Sequence, residues 1–126
     1  MSLKKILITG GAGYIGSHAV KLFLEKGYSV VVFDNLSRGY KEPIEILKKM
    51  GKLEFVKGDL RDKKEVKGLF AKHDFETVVH FAALCSVNES MEQPELYFEN
   101  NVMGTLNLLD VMREKKVKKI IFDSEK

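Results

Sequence analysis

The segment ILITGGAGYIG, Ile6–Gly16, joins an apolar strand to a glycine-rich turn and leads into an amphipathic stretch from Ser17 to Lys26. Glycines permit a tight turn and a close approach of the backbone, and the N-terminus of a helix attracts negative charge. A strand, a glycine-rich turn and a helix start together form an arrangement that holds a pyrophosphate. The segment therefore predicts a dinucleotide-binding βα unit.

A second signal is Asp34, which ends the apolar run Val30–Phe33 and stands eighteen residues after Gly16. A carboxylate at this place can accept hydrogen bonds from a ribose 2′-hydroxyl, and it would repel a 2′-phosphate. We therefore predict NAD as the cofactor. Arg38 leaves NADP open as an alternative, since its guanidinium could meet a 2′-phosphate.

Composition restricts the classes of partner. The 126 residues carry a net charge of only +3, with acids and bases interleaved, which does not suggest nucleic-acid binding. No apolar run approaches the ~20 residues of a membrane span, and the chain passes directly into its first strand without room for a signal peptide. One cysteine, Cys85, rules out an internal disulfide. We expect a cytoplasmic protein that contacts neither membrane nor nucleic acid.

Apolar runs and amphipathic stretches alternate along the chain, a pattern typical of right-handed βαβ units and a parallel sheet. The predicted strands are Lys5–Thr9, Ser29–Asp34, Leu53–Lys57, Thr77–Ala82 and Lys118–Phe122. The predicted helices are Ser17–Lys26, Pro43–Met50, Lys63–His73 and Pro94–Lys115. We expect a single α/β domain over residues 1–126, a Rossmann-type doubly wound sheet of about five strands in the order 3-2-1-4-5, with helices on both faces.

The last predicted helix, Pro94–Lys115, is apolar on nearly all sides, so it should be buried on more than one side. One side can pack on the sheet, and the other needs another helix or another subunit. The uncovered face is predicted to include some of Leu96, Met103, Leu108 and Met112. We expect a homo-oligomer, a dimer formed through this helix or through an open edge at the fifth strand.

Five motifs in order along the chain resemble those of the extended short-chain dehydrogenases/reductases, and within them the UDP-glucose (UDP-galactose) 4-epimerases. They are ITGGAGYIGSH at Ile8–His18, DNLS at Asp34–Ser37, GDLRD at Gly58–Asp62, HFAA at His80–Ala83 and NNVMGT at Asn100–Thr105. The reaction that the resemblance implies removes a hydride from C4 of a nucleotide sugar, rotates the keto-sugar and returns the hydride, with NAD as electron sink.

By position, the resemblance also implies which residues bind the cofactor. The pyrophosphate would be lined by Gly10, Gly13, Tyr14, Ile15 and Gly16, and the adenine ribose would be held by Asp34 and Asn35. Asp59 and Leu60 would contact adenine, with the Asp59 carboxylate accepting from the exocyclic amine. The remaining predicted contacts are Phe81, Ala82 and Ala83 along the cofactor, and Asn100, which steadies the neighbouring loop.

Other interpretations of these polar residues stay open. Asp59 could instead cap the helix that starts near Asp62. His80 lies in an apolar strand and is interpreted as a core histidine rather than a catalyst, and His18 and His73 are placed on helix surfaces. Because no Cys and His residues stand at ligand spacing, no metal site is predicted.

The chain also departs from the resembled pattern. Cys85 stands where close epimerases have a lysine, and Glu125 stands where they have a catalytic serine. The Tyr-x-x-x-Lys pair and the sugar-nucleotide domain have no counterpart in the 126 residues. We predict no catalytic residue and no epimerisation by this chain alone. Alternatives are a stand-alone NAD-binding module or subunit, the cofactor half of a sister nucleotide-sugar dehydratase or epimerase, and a remnant with an empty pocket.

Overall fold

Five parallel strands form one sheet in the order β3-β2-β1-β4-β5, which confirms the predicted topology. The computed structural model describes residues 5–9, 14–34, 41–80, 95 and 102–122. The strands are β1 (Lys5–Thr9), β2 (Ser29–Asp34), β3 (Leu53–Lys57), β4 (Thr77–His80) and β5 (Lys119–Phe122). The first three have the predicted bounds, and β5 begins one residue later than predicted. The predicted extension of β4 to Ala82 lies outside the described residues.

In the described part of the chain the bounds of four helices are given: α1 (Tyr14–Glu25), α2 (Lys41–Leu47), α3 (Lys63–Lys72) and α4 (Gly104–Glu114). The predicted start of α1 at Ser17 was three residues late, since Ser17, a residue type that often caps helices, lies inside the first turns. The predicted helix Pro43–Met50 was displaced toward the C-terminus by two to three residues relative to α2, which spans Lys41–Leu47. Of the predicted helix Pro94–Lys115, Glu95 and residues 102–114 are described and helical.

The two faces of the sheet carry separate cores, because successive side chains of a strand point to opposite faces. Leu7, Val31 and Val78 lie on the face covered by α3 and α4, in a cluster with Val66, Leu69, Phe70, Leu108, Val111 and Met112. Ile8, Val32 and Val79 lie on the other face with residues of α1 and α2, namely Val20, Leu24, Ile44 and Leu47. Helices therefore cover both faces, as predicted.

The exposed face of α4 differs from the predicted one. Leu108 and Met112 are fully or almost fully buried against the sheet, so their assignment to an uncovered face was wrong. Met103 is exposed as predicted, together with Val102, Leu106 and Leu109, and Leu96 lies outside the described residues. Because the helix is apolar on nearly all sides, its periodicity could not indicate which side the sheet covers.

Candidate nucleotide-binding site

The carboxyl ends of the strands meet at one edge of the sheet, and this edge contains the predicted site. Strand order reverses between β1 and β4, since the chain moves outward first through β2 and β3 and then through β5. In open α/β sheets ligands bind at such a switch point, outside the carboxyl ends of the strands. Thr9, Asp34 and His80 end β1, β2 and β4 there.

The glycine-rich turn is described only on its helical side. Tyr14, Ile15 and Gly16 form the first turn of α1, and Gly16 is buried. Among the described residues, this turn carries no acidic side chain that would repel a phosphate. Gly10 and Gly13 lie outside the described residues.

Asp34 lies at the end of β2 and is only 9% exposed. Its backbone carbonyl accepts a hydrogen bond from the Gly58 N–H at 3.1 Å, which ties the end of β2 to the loop that follows β3. Asp34, at the end of β2, and the loop that contains Asp59 were both predicted to contact the adenosine part of the cofactor. The structure thus brings these two features together. Asn35 lies outside the described residues.

Gly58 lets this loop lie directly on a core side chain. A Cβ atom at Gly58 would stand 2.4 Å from Cε1 and 2.5 Å from Cζ of Phe33. Phe33 is buried on the face that α3 and α4 cover, so its ring has little room to move away. Packing therefore requires a glycine at this position, because the ring of Phe33 lies directly against the loop.

Asp59 is oriented by Arg61, two residues further along. Its Oδ1 accepts hydrogen bonds from the Arg61 backbone N–H at 2.9 Å and from Nε at 3.1 Å, and its Oδ2 accepts from Nη2 at 2.7 Å. A forked contact of this kind fixes direction as well as distance. The N-cap residue of α3 is Asp62, whose carboxylate accepts from the Lys64 N–H at 3.0 Å. Asp62 thus fills the capping position that was the alternative for Asp59.

Leu60 turns its side chain into the core, where it is buried among residues of α3 and α4. Its backbone carbonyl accepts a hydrogen bond from Asn107 Nδ2 at 2.8 Å, and the same nitrogen donates to the Arg61 carbonyl at 3.1 Å. Sequence reasoning did not single out Asn107. A sequence feature that could have indicated it is a polar residue within a largely apolar helix, three positions after Gly104.

His80, at the end of β4, links this strand to β1 and to α4 through its two ring nitrogens. Its Nδ1 lies 2.6 Å from Thr9 Oγ1, and its Nε2 lies 3.1 Å from Thr105 Oγ1 on α4. Burial lowers the pKa of His80 from 6.5 to about 4, so the imidazole is neutral at pH 7. A neutral ring has one donor and one acceptor nitrogen, which suits two hydroxyl partners. The interpretation of His80 as a core histidine is confirmed.

The other histidines differ from each other. His18 is exposed on α1 as predicted. The placement of His73 on a helix surface was wrong, because it follows α3 with a mostly buried side chain. Its ring stacks on Phe75 with centroids 5.5 Å apart, and its Nδ1 lies 3.0 Å from Lys5 Nζ.

The remaining predicted contacts, Phe81, Ala82, Ala83 and Asn100, lie outside the described residues, as do Arg38 and Cys85. Within the described residues there is no group of three or more His, Cys, Asp or Glu side chains that could hold a metal ion. No helix in the described part of the chain is both long enough and apolar enough to cross a bilayer.

Comparison with known proteins agrees with this geometry. The sequence profile of the family described as GDP-mannose 4,6 dehydratase matches residues 7–124. The chain is 43% identical to the bifunctional UDP-glucose 4-epimerase and UDP-xylose 4-epimerase 1 of Pisum sativum, over 98% of this chain and 37% of that protein. It is 48% identical to a UDP-glucose 4-epimerase of Halalkalibacterium halodurans, over 94% of this chain and 34% of the relative.

A solved structure shows the same fold. UDP-glucose 4-epimerase from Bifidobacterium longum, in complex with NAD+ and UDP, superposes with a TM-score of 0.91 at 38% identity, over 95% of this chain and 36% of that one. The chain thus spans about a third of the length of the relatives it matches. It is similar to their N-terminal, cofactor-binding part.

Proposed function

The chain belongs to the GDP-mannose 4,6 dehydratase family of extended short-chain dehydrogenases/reductases, and we propose that it binds NAD(H) as the cofactor-binding part of a UDP-glucose 4-epimerase. The observation that carries the proposal is Asp34, which is almost buried and ends β2 at the sheet edge from which α1 begins.

We further propose that residues 1–126 form a single domain. A reducing, cytoplasmic location fits the single cysteine.

Each part of the cofactor has a proposed partner. The first turn of α1, with Tyr14, Ile15 and Gly16, would face the pyrophosphate, because the first N–H groups of a helix have no partner within the helix. Asp34 would accept hydrogen bonds from the adenine ribose. Asp59, oriented by Arg61, would accept from the exocyclic amine of adenine.

The remaining proposed contacts rest on the motifs of the sequence. They are Gly10, Gly13, Asn35, Leu60, Phe81, Ala82, Ala83 and Asn100. The 126-residue chain thus supplies binding and orientation of the cofactor, while bound NAD supplies the hydride acceptor.

Calorimetric titration tests the choice of cofactor. We expect NADH to bind more tightly than NADPH, because the Asp34 carboxylate would meet the 2′-phosphate at a nearly buried position. Asp34→Ala should weaken NADH binding by roughly 10- to 100-fold, the worth of hydrogen bonds to a charged group. Asp74→Ala is the matched control, because Asp74 is exposed and precedes β4 at the opposite edge of the sheet. Equal affinities for NADH and NADPH would contradict the assignment of Asp34.

For a protein of the relatives' full length that contains this chain, we propose epimerisation of a nucleotide sugar through transient oxidation at C4. The 126 residues contain no Tyr-x-x-x-Lys pair, and a positioned proton-transfer group typically contributes 10²- to 10⁴-fold. We therefore propose that this chain by itself binds cofactor without turnover. A sample that binds NADH should not interconvert UDP-galactose and UDP-glucose, and measurable interconversion would contradict the proposal.

We also propose that α4 mediates self-association into a dimer. Val102 and Met103, which directly precede α4, and Leu106 and Leu109 on α4 are exposed. A contiguous apolar stripe on a protein surface often marks an interface. A second copy can cover the stripe with its own, as two-fold symmetry allows.

Matched leucine variants test this surface. Leu106 on α4 is 52% exposed and Leu22 on α1 is 51% exposed, so both accept a glutamate without disturbing the core. Leu106→Glu should convert a dimer to a monomer at micromolar concentration, as measured by light scattering, whereas Leu22→Glu should leave the mass unchanged. A monomeric wild-type chain would overturn the proposal.

A further inference from the structure

Helix α4 holds the loop after β3 through one side chain. Asn107 Nδ2 donates to the carbonyls of Leu60 and Arg61, at 2.8 and 3.1 Å. These residues are 47 and 46 positions earlier in the chain. The contact therefore fixes the loop relative to a distant helix.

The hydrogen bond from Asn107 to the Leu60 carbonyl also constrains the Asp59 carboxylate. The Leu60 carbonyl and the Arg61 N–H belong to the same planar peptide group. That N–H donates to Asp59 Oδ1 at 2.9 Å. Because the peptide is rigid, holding its carbonyl end also sets the direction of its N–H, and with it the position of the Asp59 carboxylate.

Other contacts that α4 makes with the loop or with the start of α3 are less directional. Gly104 allows the helix to come close, since a Cβ atom there would stand only 3.1 Å from Leu60 Cβ. The ion pair between Lys63 Nζ and Asp110 Oδ2, at 3.3 Å, joins two side chains that are about 40% exposed. Exposed pairs of this kind contribute little and are screened by salt. Asn107 is thus the contact that can orient the loop.

We propose that Asn107 is a positioning residue for the adenine end of the cofactor site. It acts through the Leu60–Arg61 peptide to hold the Asp59 carboxylate where it accepts from the exocyclic amine of adenine. This inference rests on the proposed function, since it requires a bound adenine nucleotide. In this role Asn107 would act without touching the cofactor itself.

The test compares NADH with reduced nicotinamide hypoxanthine dinucleotide, in which an oxygen replaces the exocyclic amine. The wild-type chain should prefer NADH by roughly 10- to 100-fold, the worth of a hydrogen bond to a charged group. Asn107→Asp keeps the shape of the side chain and replaces its donor by an acceptor that faces two carbonyls. In this variant the preference should fall to near one, and the amides of residues 61 and 62 should exchange with solvent faster.

Val111→Ala is the matched control. Val111 lies on the same helix and is buried in the core, and its side chain has no polar atom. Its truncation therefore lowers stability while the hydrogen bonds from Asn107 to the loop stay in place. Val111→Ala should keep the wild-type preference for NADH over the hypoxanthine dinucleotide. If Asn107 had only a structural role, both variants would show the same ratio of the two affinities. If Asn107→Asp does not fold, Asn107→Ala provides the same comparison.

The outcomes separate the two proposals. A wild-type chain that binds neither dinucleotide overturns the proposed function and this inference together. A wild-type chain that binds both equally overturns the inference while cofactor binding stands. A variant at Asn107 that retains the preference for NADH shows that the hydrogen bonds from Asn107 to the loop do not position Asp59.

Discussion

Gly58→Ala is expected to lower the free energy of unfolding by roughly 3 kcal/mol, at the upper end of the cost of overpacking a core. The added methyl group would stand 2.4 to 2.5 Å from two ring atoms of Phe33, closer than packed carbon atoms can come. It would also approach Glu65 Oε2 at 2.5 Å, but the end of a long side chain can rotate away. The cost therefore falls on the buried ring, and urea denaturation followed by circular dichroism measures it.

Gly68→Ala is the control for this prediction. Gly68 lies within α3, and a Cβ atom there would meet no atom within 4 Å beyond its chain neighbours and the backbone of its own helix. Because glycine is unfavourable inside a helix, this substitution should stabilise the chain by about 0.5–1 kcal/mol. The two glycine-to-alanine changes should thus have opposite signs. Equal effects would show that Phe33 does not fill the space under Gly58.

Acidification from pH 7 to pH 4 should destabilise the folded chain by roughly 3 kcal/mol through His80 alone. Burial lowers the pKa of this imidazole from 6.5 to about 4 in the folded state. Between these values the unfolded chain takes up a proton and the folded chain does not, so stability falls as the pH falls. The loss begins near pH 6.5 and is nearly complete at pH 4.

His80→Gln isolates this contribution. Glutamine retains polar atoms and does not titrate, so the variant should lose the part of the pH dependence that His80 provides. Every other ionisable group is the same in both proteins, so the difference between the two stability curves isolates the contribution of His80. An NMR titration of the imidazole gives a second readout, with a midpoint near pH 4 expected. A midpoint above pH 6, or identical stability curves, would contradict the prediction.

Several parts of the fold could be predicted from the sequence because their signals are local. The apolar runs gave the bounds of β1, β2 and β3 correctly. Asp34 could be placed at the end of β2 because a strand followed by an acid is visible in a short stretch of sequence. The order of the sheet followed from the alternation of strands and helices, since crossover connections in parallel sheets have a fixed handedness.

The roles of single side chains at the site could not be read in this way. That Asp62 rather than Asp59 caps α3 is decided by the path of one loop. That Leu108 faces the sheet while Leu106 faces outward is decided by the rotation of α4 about its axis. An apolar pattern on all sides of a helix permits several rotations, and packing against the sheet selects one.

The sequence by itself determined the βα unit of the glycine-rich segment, the parallel sheet and the acid at the end of β2, because each depends on residues close together in the chain. Only the tertiary structure decided that His80 is neutral, that Gly58 must lack a side chain and that Asn107 holds the loop with Asp59. His80 meets Thr9 across 71 positions of sequence, and Asn107 meets Leu60 across 47. Contacts over such separations arise only when the sheet and its helices pack, and burial then sets the pKa and the space available to each side chain.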